Sequence, residues 1–179
     1  MVPEAPLEET EHGLVPKGEG WFVLNARDAR WYHAPTRSAV TVFEGDVDFE
    51  QLGINVSVLR PGQPMAMYHW EVDQEDFLVV SGEAVLIIEG EERPLRAWDF
   101  VHCPPGTEHI FVGAGDGPCV ILMTGVRTRE KAIVYPRSEL ALRHGAGVET
   151  ETGSAAEAYA PFPKWQPGPP DSWNGLPWA

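Results

Sequence analysis

The stretch MYHWEVDQEDF, residues 67–77, places one histidine among four acidic side chains immediately before an apolar run. Imidazole nitrogens and carboxylate oxygens are good ligands for divalent Fe, Mn, Zn or Ni, and the stretch contains no thiolate. His69 can therefore begin a metal site, or it can be an ordinary polar residue at the mouth of a β-sheet. Residue types alone leave both interpretations open, so the elements that position these side chains have to be considered.

Composition predicts one acidic globular domain. The chain has 179 residues and a net charge of −14, which repels nucleic acid phosphates and anionic membranes and so excludes both as expected partners. It has no apolar run of the ~18 residues needed to span a bilayer, and its acidic start is unlike a signal peptide, so a cytoplasmic location is expected. Cys103 and Cys119 are then expected to be buried thiols.

The pattern along the chain predicts a β-rich domain with irregular ends. Residues 1–20 are predicted to be a flexible acidic segment. Residues 21–127 contain a series of short apolar runs separated by turn signals, among them EGEE as a hairpin turn, which favours an antiparallel sandwich or barrel. Residues 128–150 contain one predicted short helix, RSELALRHG, with Ser138 as its N-cap.

The last segment, residues 151–179, is predicted to be irregular. Its final 21 residues hold six prolines and three tryptophans. Proline lacks the backbone donor that a sheet needs, so regular pairing is not expected, yet the aromatic side chains should not all lie in water. We expect this tail to lie over the domain or over a neighbouring subunit.

Two stretches resemble the paired motifs of the cupin superfamily. They are RPGQPMAMYHWEVDQEDFLVVSGEA and LRAWDFVHCPPGTEHIFVG, and the resemblance covers roughly residues 52–126. The matching positions are Gly62, Glu75, Gly82, Pro104, Gly106 and His109. The chain departs from the second motif at Trp98 and Gly113, where cupins have glycine and asparagine. The resemblance implies an all-β, cupin-type antiparallel β-barrel or jelly roll with a short helix and an irregular Pro/Trp-rich tail.

The resemblance also implies a metal site, with one change of register. The family spacing puts Tyr68 and Trp70 where two histidines usually stand, and neither side chain is a good ligand. A shift of one residue brings His69 and Glu71 to these places, on the same face of an extended strand. Each of them could instead be an exposed polar residue. The ligand set implied is His69, Glu71, Glu75 and His109, and the ion is Fe, Mn, Zn or Ni.

His102 is a further candidate, whose role depends on which face of its strand lies inside. Alternation puts Phe100 and His102 on one face and Val101 and Cys103 on the other. Because Phe100 is large and apolar, we expect its face to point inward. His102 would then serve as a general base or as a hydrogen-bond partner of a ligand. If that face points outward, His102 is a surface residue.

The resemblance implies a pocket inside the barrel with the ion at its floor, but it selects no reaction. We expect an enzyme acting on a small chelating metabolite, a hydroxy, enol or carboxylate compound, by metal-assisted oxygenation or isomerisation. The alternative is a cupin that binds or senses a small molecule without turnover. A homodimer is expected, formed by exchange of the segment GWFVLNARDARWYH or by the C-terminal tail.

Overall fold

The computed structural model describes residues 1–127, 132–170 and 173–178, and its regular structure is mainly antiparallel strand. The strands in these residues are Leu7–Thr10 (β1), Gly13–Pro16 (β2), Trp31–Ala34 (β3), Arg37–Val42 (β4), Leu52–Leu59 (β5), Trp70–Glu71 (β6), Glu75–Ser81 (β7), Glu83–Ile88 (β8), Glu91–Arg96 (β9), Phe100–Cys103 (β10), His109–Ala114 (β11), Cys119–Val126 (β12), Ile133–Val134 (β13) and Gln166–Pro167 (β14). The helices in these residues are Glu139–Arg143 (α1) and Ala155–Ala158 (α2). None of the helices described is long and apolar enough to cross a membrane.

Two antiparallel sheets form the body of the domain. One has the strand order β10-β7-β12-β5-β4-β3-β14, and the other has the order β11-β8-β9. Apolar side chains from both sheets share one core, with Phe77 and Val79 from the larger sheet and Leu86 and Phe111 from the smaller one. The predicted all-β jelly roll is confirmed.

The hairpin between β8 and β9 follows from the local sequence. Ile88 pairs with Glu91, which leaves Glu89 and Gly90 as a two-residue turn with φ angles of 49° and 78°. Positive φ at both positions is the type I′ geometry that suits the twist of the flanking strands. β9 is the edge strand of its sheet, where Pro94 is tolerated because the edge does not require every backbone donor. The EGEE hairpin prediction is confirmed.

The two departures from the cupin motif have different structural consequences. Trp98 adopts φ 76° at the position where the motif has glycine, a conformation that is unusual for a bulky side chain. Gly113 lies so close to the neighbouring backbone that a Cβ there would be 2.2 Å from the Arg60 carbonyl oxygen. At Trp98 the backbone thus keeps a positive φ that suits glycine, at a steric cost, whereas at Gly113 the close approach of the Arg60 carbonyl leaves no room for the asparagine side chain of the motif.

The N-terminal segment contains more regular structure than its composition predicted. β1 and β2 pair with each other within residues 1–20, the segment predicted to be flexible. The acidic side chains of Glu8 and Glu9 are exposed, whereas Ala5 and Val15 are buried. The few apolar residues of this segment thus form a buried face, which its high content of acidic residues and proline did not predict.

The C-terminal tail packs against its own domain. Trp173 and Trp178 lie 5.8 and 5.9 Å from Trp31, measured between ring centroids, and Leu176 is buried in the same cluster. Contrary to expectation, two tail residues pair with a strand: β14 adds to β3 at the edge of the larger sheet. The pairing is possible because an edge position tolerates the missing donor of Pro167.

The predicted helix is confirmed as α1. The Ser138 hydroxyl accepts a hydrogen bond from the Ala141 amide at 3.3 Å, and Gly145 follows the helix with φ 67°. The connecting segment 128–150 begins with residues 128–131, which lie outside the described residues, as do residues 171–172 and 179 of the predicted tail.

Candidate metal centre

The two candidate histidines face each other across a short backbone pairing. The His69 amide donates to the His109 carbonyl at 3.2 Å, and the His109 amide donates to the His69 carbonyl at 2.9 Å. The two imidazole rings are consequently cross-strand neighbours, with their centroids 4.9 Å apart. Glu75 begins β7 and completes a compact group with them, in which one ligand atom from each residue lies within 4.8 Å of the others.

The distances in this group suit a shared cation better than direct hydrogen bonds. Glu75 Oε2 is 3.4 Å from His109 Nε2 and 3.7 Å from His69 Nε2. Hydrogen bonds between nitrogen and oxygen are normally shorter, at about 2.7–3.2 Å. Two ligands about 2.1 Å from one ion are themselves roughly 3.0–3.5 Å apart, for angles of about 90–110°. The group is therefore close to the spacing of a ligand set.

Backbone carbonyls orient both imidazoles. His69 Nδ1 is 2.7 Å from the Met67 carbonyl oxygen, and His109 Nδ1 is 3.0 Å from the Thr107 carbonyl oxygen. A carbonyl can only accept, so each Nδ1 carries the proton and, in the neutral ring, Nε2 keeps its lone pair. Hydrogen bonding of the other ring nitrogen is the usual way in which a metal-ligating histidine is held in place.

One carboxylate oxygen of the group is buried without a hydrogen bond. Glu75 Oε2 is buried and has no hydrogen-bond partner, and its ion-pair partners among the described residues are the two imidazoles. Burial by itself would lower the pKa of His69, but the nearby negative charge of Glu75 outweighs it and raises the pKa. Burial, followed by the charge of His69, lowers the pKa of His109. A divalent cation fits this set of donors, because it would neutralise Glu75 and use both Nε2 lone pairs.

Apolar and aromatic side chains enclose the group on one side. Phe77 contacts the His109 ring edge-on, with centroids 5.2 Å apart, and Tyr135 lies 5.9 Å from the His69 ring. His109 is only 2% exposed. The surroundings have few polar groups, which strengthens electrostatic interactions with anything bound there.

A cavity of about 380 Å³ opens beside Glu71 and Gly125. Gly53 and Gly125 are directly paired on β5 and β12, and both line the cavity. A Cβ added at Gly125 would lie 3.8 Å from Glu75 Cγ, so the absent side chain leaves the cavity open next to that carboxylate. Its remaining lining residues are Asn55, Asp73, Val126, Arg127, Ala132 and Ile133.

The structure thus brings three of the four predicted ligands together, namely His69, Glu75 and His109. Glu71 lies at their margin, with Oε1 3.8 Å from His69 Nε2, and it lines the cavity. Tyr68 is buried and its hydroxyl donates to Glu108 Oε2 at 3.0 Å, so it packs and takes no part in the group.

His102 is not where it was expected. It lies on the outer face of β10 with half of its side chain exposed, and its Nδ1 is 2.7 Å from Asp76 Oδ1. Phe100, whose size suggested an inward face, is itself 65% exposed, whereas Val101 and Cys103 are buried. The expectation that His102 assists the metal site from inside is therefore wrong: the two smaller apolar residues of this strand face the core.

Several residues near the group carried no recognisable signal in the sequence. Tyr135 and Tyr159 belong to the segment after β12, and Tyr159 contacts Met67, 92 positions earlier in the chain. The Gly53–Gly125 pair joins two strands that are also distant in sequence. Contacts between residues so far apart in the sequence follow from the fold and not from a local motif.

Comparisons with known proteins agree with this architecture. The family model described as the Cupin domain matches residues 55–125. Among similar solved structures, a putative sugar phosphate isomerase from Acidithiobacillus ferrooxidans is 26% identical over 55% of this chain and 65% of that chain, with a TM-score of 0.51. The alignment thus spans slightly less than two thirds of that protein. No curated protein matches the chain.

Two further solved structures show the same fold at lower identity. The polyketide cyclase RemF from Streptomyces resistomycificus is 13% identical over 62% of this chain and 81% of its own, with a TM-score of 0.52. A predicted oxalate decarboxylase from Thermotoga maritima is 15% identical over 60% of this chain and 100% of its own, also with a TM-score of 0.52. These two structures show the fold alone, and the family match confirms the resemblance to cupins over residues 55–125.

Proposed function

We propose that this protein is a metal-dependent cupin enzyme that acts on a small chelating metabolite with hydroxyl, enol or carboxylate groups. One observation carries the proposal. The buried Glu75 Oε2 has no hydrogen bond and lies between two imidazole Nε2 atoms. A buried carboxylate of this kind is costly unless a cation compensates it.

The residues divide into those that hold the ion and those that receive the substrate. His69, Glu75 and His109 hold Fe, Mn, Zn or Ni. The ion that these residues would hold would supply Lewis-acid chemistry to the oxygen atoms of a substrate. The neighbouring cavity of about 380 Å³ admits a small molecule, and Asn55 offers it an amide that both donates and accepts.

Of the two reaction classes expected, the cavity favours isomerisation. Glu71 lines the cavity at the margin of the metal group. A carboxylate there can take a proton from the hydroxyl-bearing carbon next to a carbonyl and return it to the carbonyl carbon, while the hydroxyl proton passes to the carbonyl oxygen. The similar protein from Acidithiobacillus ferrooxidans is described as a putative sugar phosphate isomerase, which is consistent with this class. Glu71 acting as a fourth ligand is the other role to be tested.

Metal content tests the first part of the proposal. Elemental analysis of the purified protein should give close to one ion per chain, with large losses in His69→Ala and His109→Ala. His102→Ala is the matched control, because it removes an imidazole from the outer face and should leave the metal content unchanged. An equal loss in the control, or no metal in the wild type after supplementation, would contradict the proposal.

Isotope exchange tests the second part. Incubation of the metal-loaded protein with small hydroxy-aldehydes and hydroxy-ketones in D₂O should incorporate deuterium next to the carbonyl. Glu71→Gln should abolish this exchange and keep the metal if Glu71 is the base. Gly125→Ala should keep the metal and weaken substrate binding, because the added Cβ narrows the cavity and lies at an ordinary contact distance of 3.8 Å from Glu75 Cγ.

Oxygen consumption without exchange would favour oxygenation. Tight binding of a ligand without either reaction would favour the alternative of a binding or sensing cupin. The homodimer and the cytoplasmic location stay predictions.

A further inference from the structure

We propose that Tyr159 is a positioning residue for the metal site, which acts through the backbone of Met67 on the imidazole of His69. The inference rests on the proposed function, because it gives a residue that follows β12 in the chain the role of holding one metal ligand in place. Tyr159 lies outside residues 55–125, the part that matches the cupin family model.

Met67 links the two side chains directly. The Tyr159 hydroxyl oxygen accepts a hydrogen bond from the Met67 amide at 3.2 Å. The Met67 carbonyl in turn accepts the Nδ1 proton of His69 at 2.7 Å. Met67 is 1% exposed, so water cannot readily replace either partner. The orientation of the His69 ring therefore depends on a peptide that Tyr159 holds from the other side.

A small separate core reinforces this connection. Met67, Tyr135, Val148 and Ala158 are buried together, with Tyr159 packed against them. The rings of Tyr135 and Tyr159 meet edge-on with centroids 5.8 Å apart, and Tyr135 also lies against the His69 ring. Residues that follow β12 in the sequence thus surround the segment that contains Met67 and His69.

The Tyr159 ring is held on its other side by a buried cation. Arg37 is 4% exposed, and its guanidinium lies 4.6 Å from the centre of the Tyr159 ring and 4.8 Å from that of Trp165. Arg37 also donates to the Pro163 carbonyl at 3.1 Å. These contacts anchor the segment around Tyr159 to β4, so its hydroxyl is presented to Met67 at a defined position.

Tyr159→Phe removes only the hydroxyl oxygen and keeps the ring contacts. The buried Met67 amide then lacks its acceptor, and the peptide that orients His69 is free to shift. Loss of the direct hydrogen-bond partner of a metal-ligating histidine typically weakens metal binding by about 10–100-fold. Tyr159 acts one hydrogen bond further away, through Met67, so we expect the lower end of this range. Tyr32→Phe, which removes a hydroxyl on β3, a strand that contributes no residue to the metal group, is the matched control.

The test is Zn²⁺ affinity, measured by competition with a chromophoric chelator, together with thermal unfolding of the metal-free proteins. We expect Zn²⁺ binding about tenfold weaker in Tyr159→Phe, unchanged binding in Tyr32→Phe, and an altered Co²⁺ absorption spectrum in Tyr159→Phe alone. Affinity within twofold of wild type, with an unchanged Co²⁺ spectrum, would overturn the proposal.

A second readout separates this inference from the proposed function. If the wild type binds none of Fe, Mn, Zn and Ni, the proposed function fails, but the His69 Nδ1 proton can still be followed by NMR in the metal-free protein. We expect that proton to be protected from exchange in the wild type and to exchange faster in Tyr159→Phe. Equal protection in both proteins would show that Tyr159 does not position His69.

Discussion

Glu75→Gln distinguishes a metal ligand from a structural ion-pair partner. The substitution keeps the size of the side chain and removes its negative charge. If Glu75 is a metal ligand, the metal-free protein carries a buried, uncompensated carboxylate, and the neutral amide should relieve it. If Glu75 instead stabilises the fold by pairing with a protonated His69, its loss should destabilise the protein.

The magnitudes follow from the environment of the carboxylate. Glu75 Oε2 is buried without a hydrogen bond, and such a group costs about 1–3 kcal/mol. The amide will itself be incompletely hydrogen-bonded, so we expect the metal-free variant to be about 1 kcal/mol more stable than wild type. For a chain of this size that corresponds to roughly 2–4 °C in Tm. Saturating Zn²⁺ at about 1,000 times its Kd should stabilise the wild type by about 4 kcal/mol and the variant hardly at all.

Thermal unfolding at alkaline pH, with a chelator or with Zn²⁺, measures both effects. Alkaline conditions remove the proton from His69 and with it any compensation of Glu75, so the same metal-free comparison at neutral pH measures what the ion pair with a protonated His69 contributes. The expected result is a crossover, in which the variant is more stable without metal and less stable with it. A variant less stable than wild type by 1 kcal/mol or more under both conditions would refute the reasoning.

Three further predictions concern the rest of the molecule. Burial would raise the pKa of Glu44, but hydrogen bonds from Arg127 and a backbone amide lower it below 4.5. Glu44→Gln should therefore reduce the free energy of unfolding above pH 4.5, and this loss should vanish as the pH falls through the lowered pKa. Urea titrations over this pH range measure the difference. Leu176→Ala should destabilise the domain by about 2–3 kcal/mol in denaturant unfolding, and no change would show that the tail is not bound to the sheet. Cys103 and Cys119 are buried with pKa values raised to about 12, so a thiol reagent should label them at neutral pH only after unfolding, and rapid labelling of the native protein would contradict their burial.

Local patterns in the sequence were sufficient for most of the jelly roll and for the core of the candidate site. The apolar runs became β4, β5, β7, β8 and β10 to β12, because strand length and turn residues are encoded within a few positions of each other. His69 and Glu75 lie close together in the chain, and His109 follows a recognisable turn. Their association could therefore be predicted from spacing and the cupin resemblance.

The tertiary structure decided what alternation and composition leave undetermined. Alternation divides β10 into two faces but does not say which one meets the core, and for that reason His102 was assigned to the wrong side. The contact of Tyr159 with Met67 and the pairing of Gly53 with Gly125 join distant parts of the chain. Such contacts depend on how the sheets and the final segment pack together, since their free energy comes from burial in the assembled fold and not from any local preference.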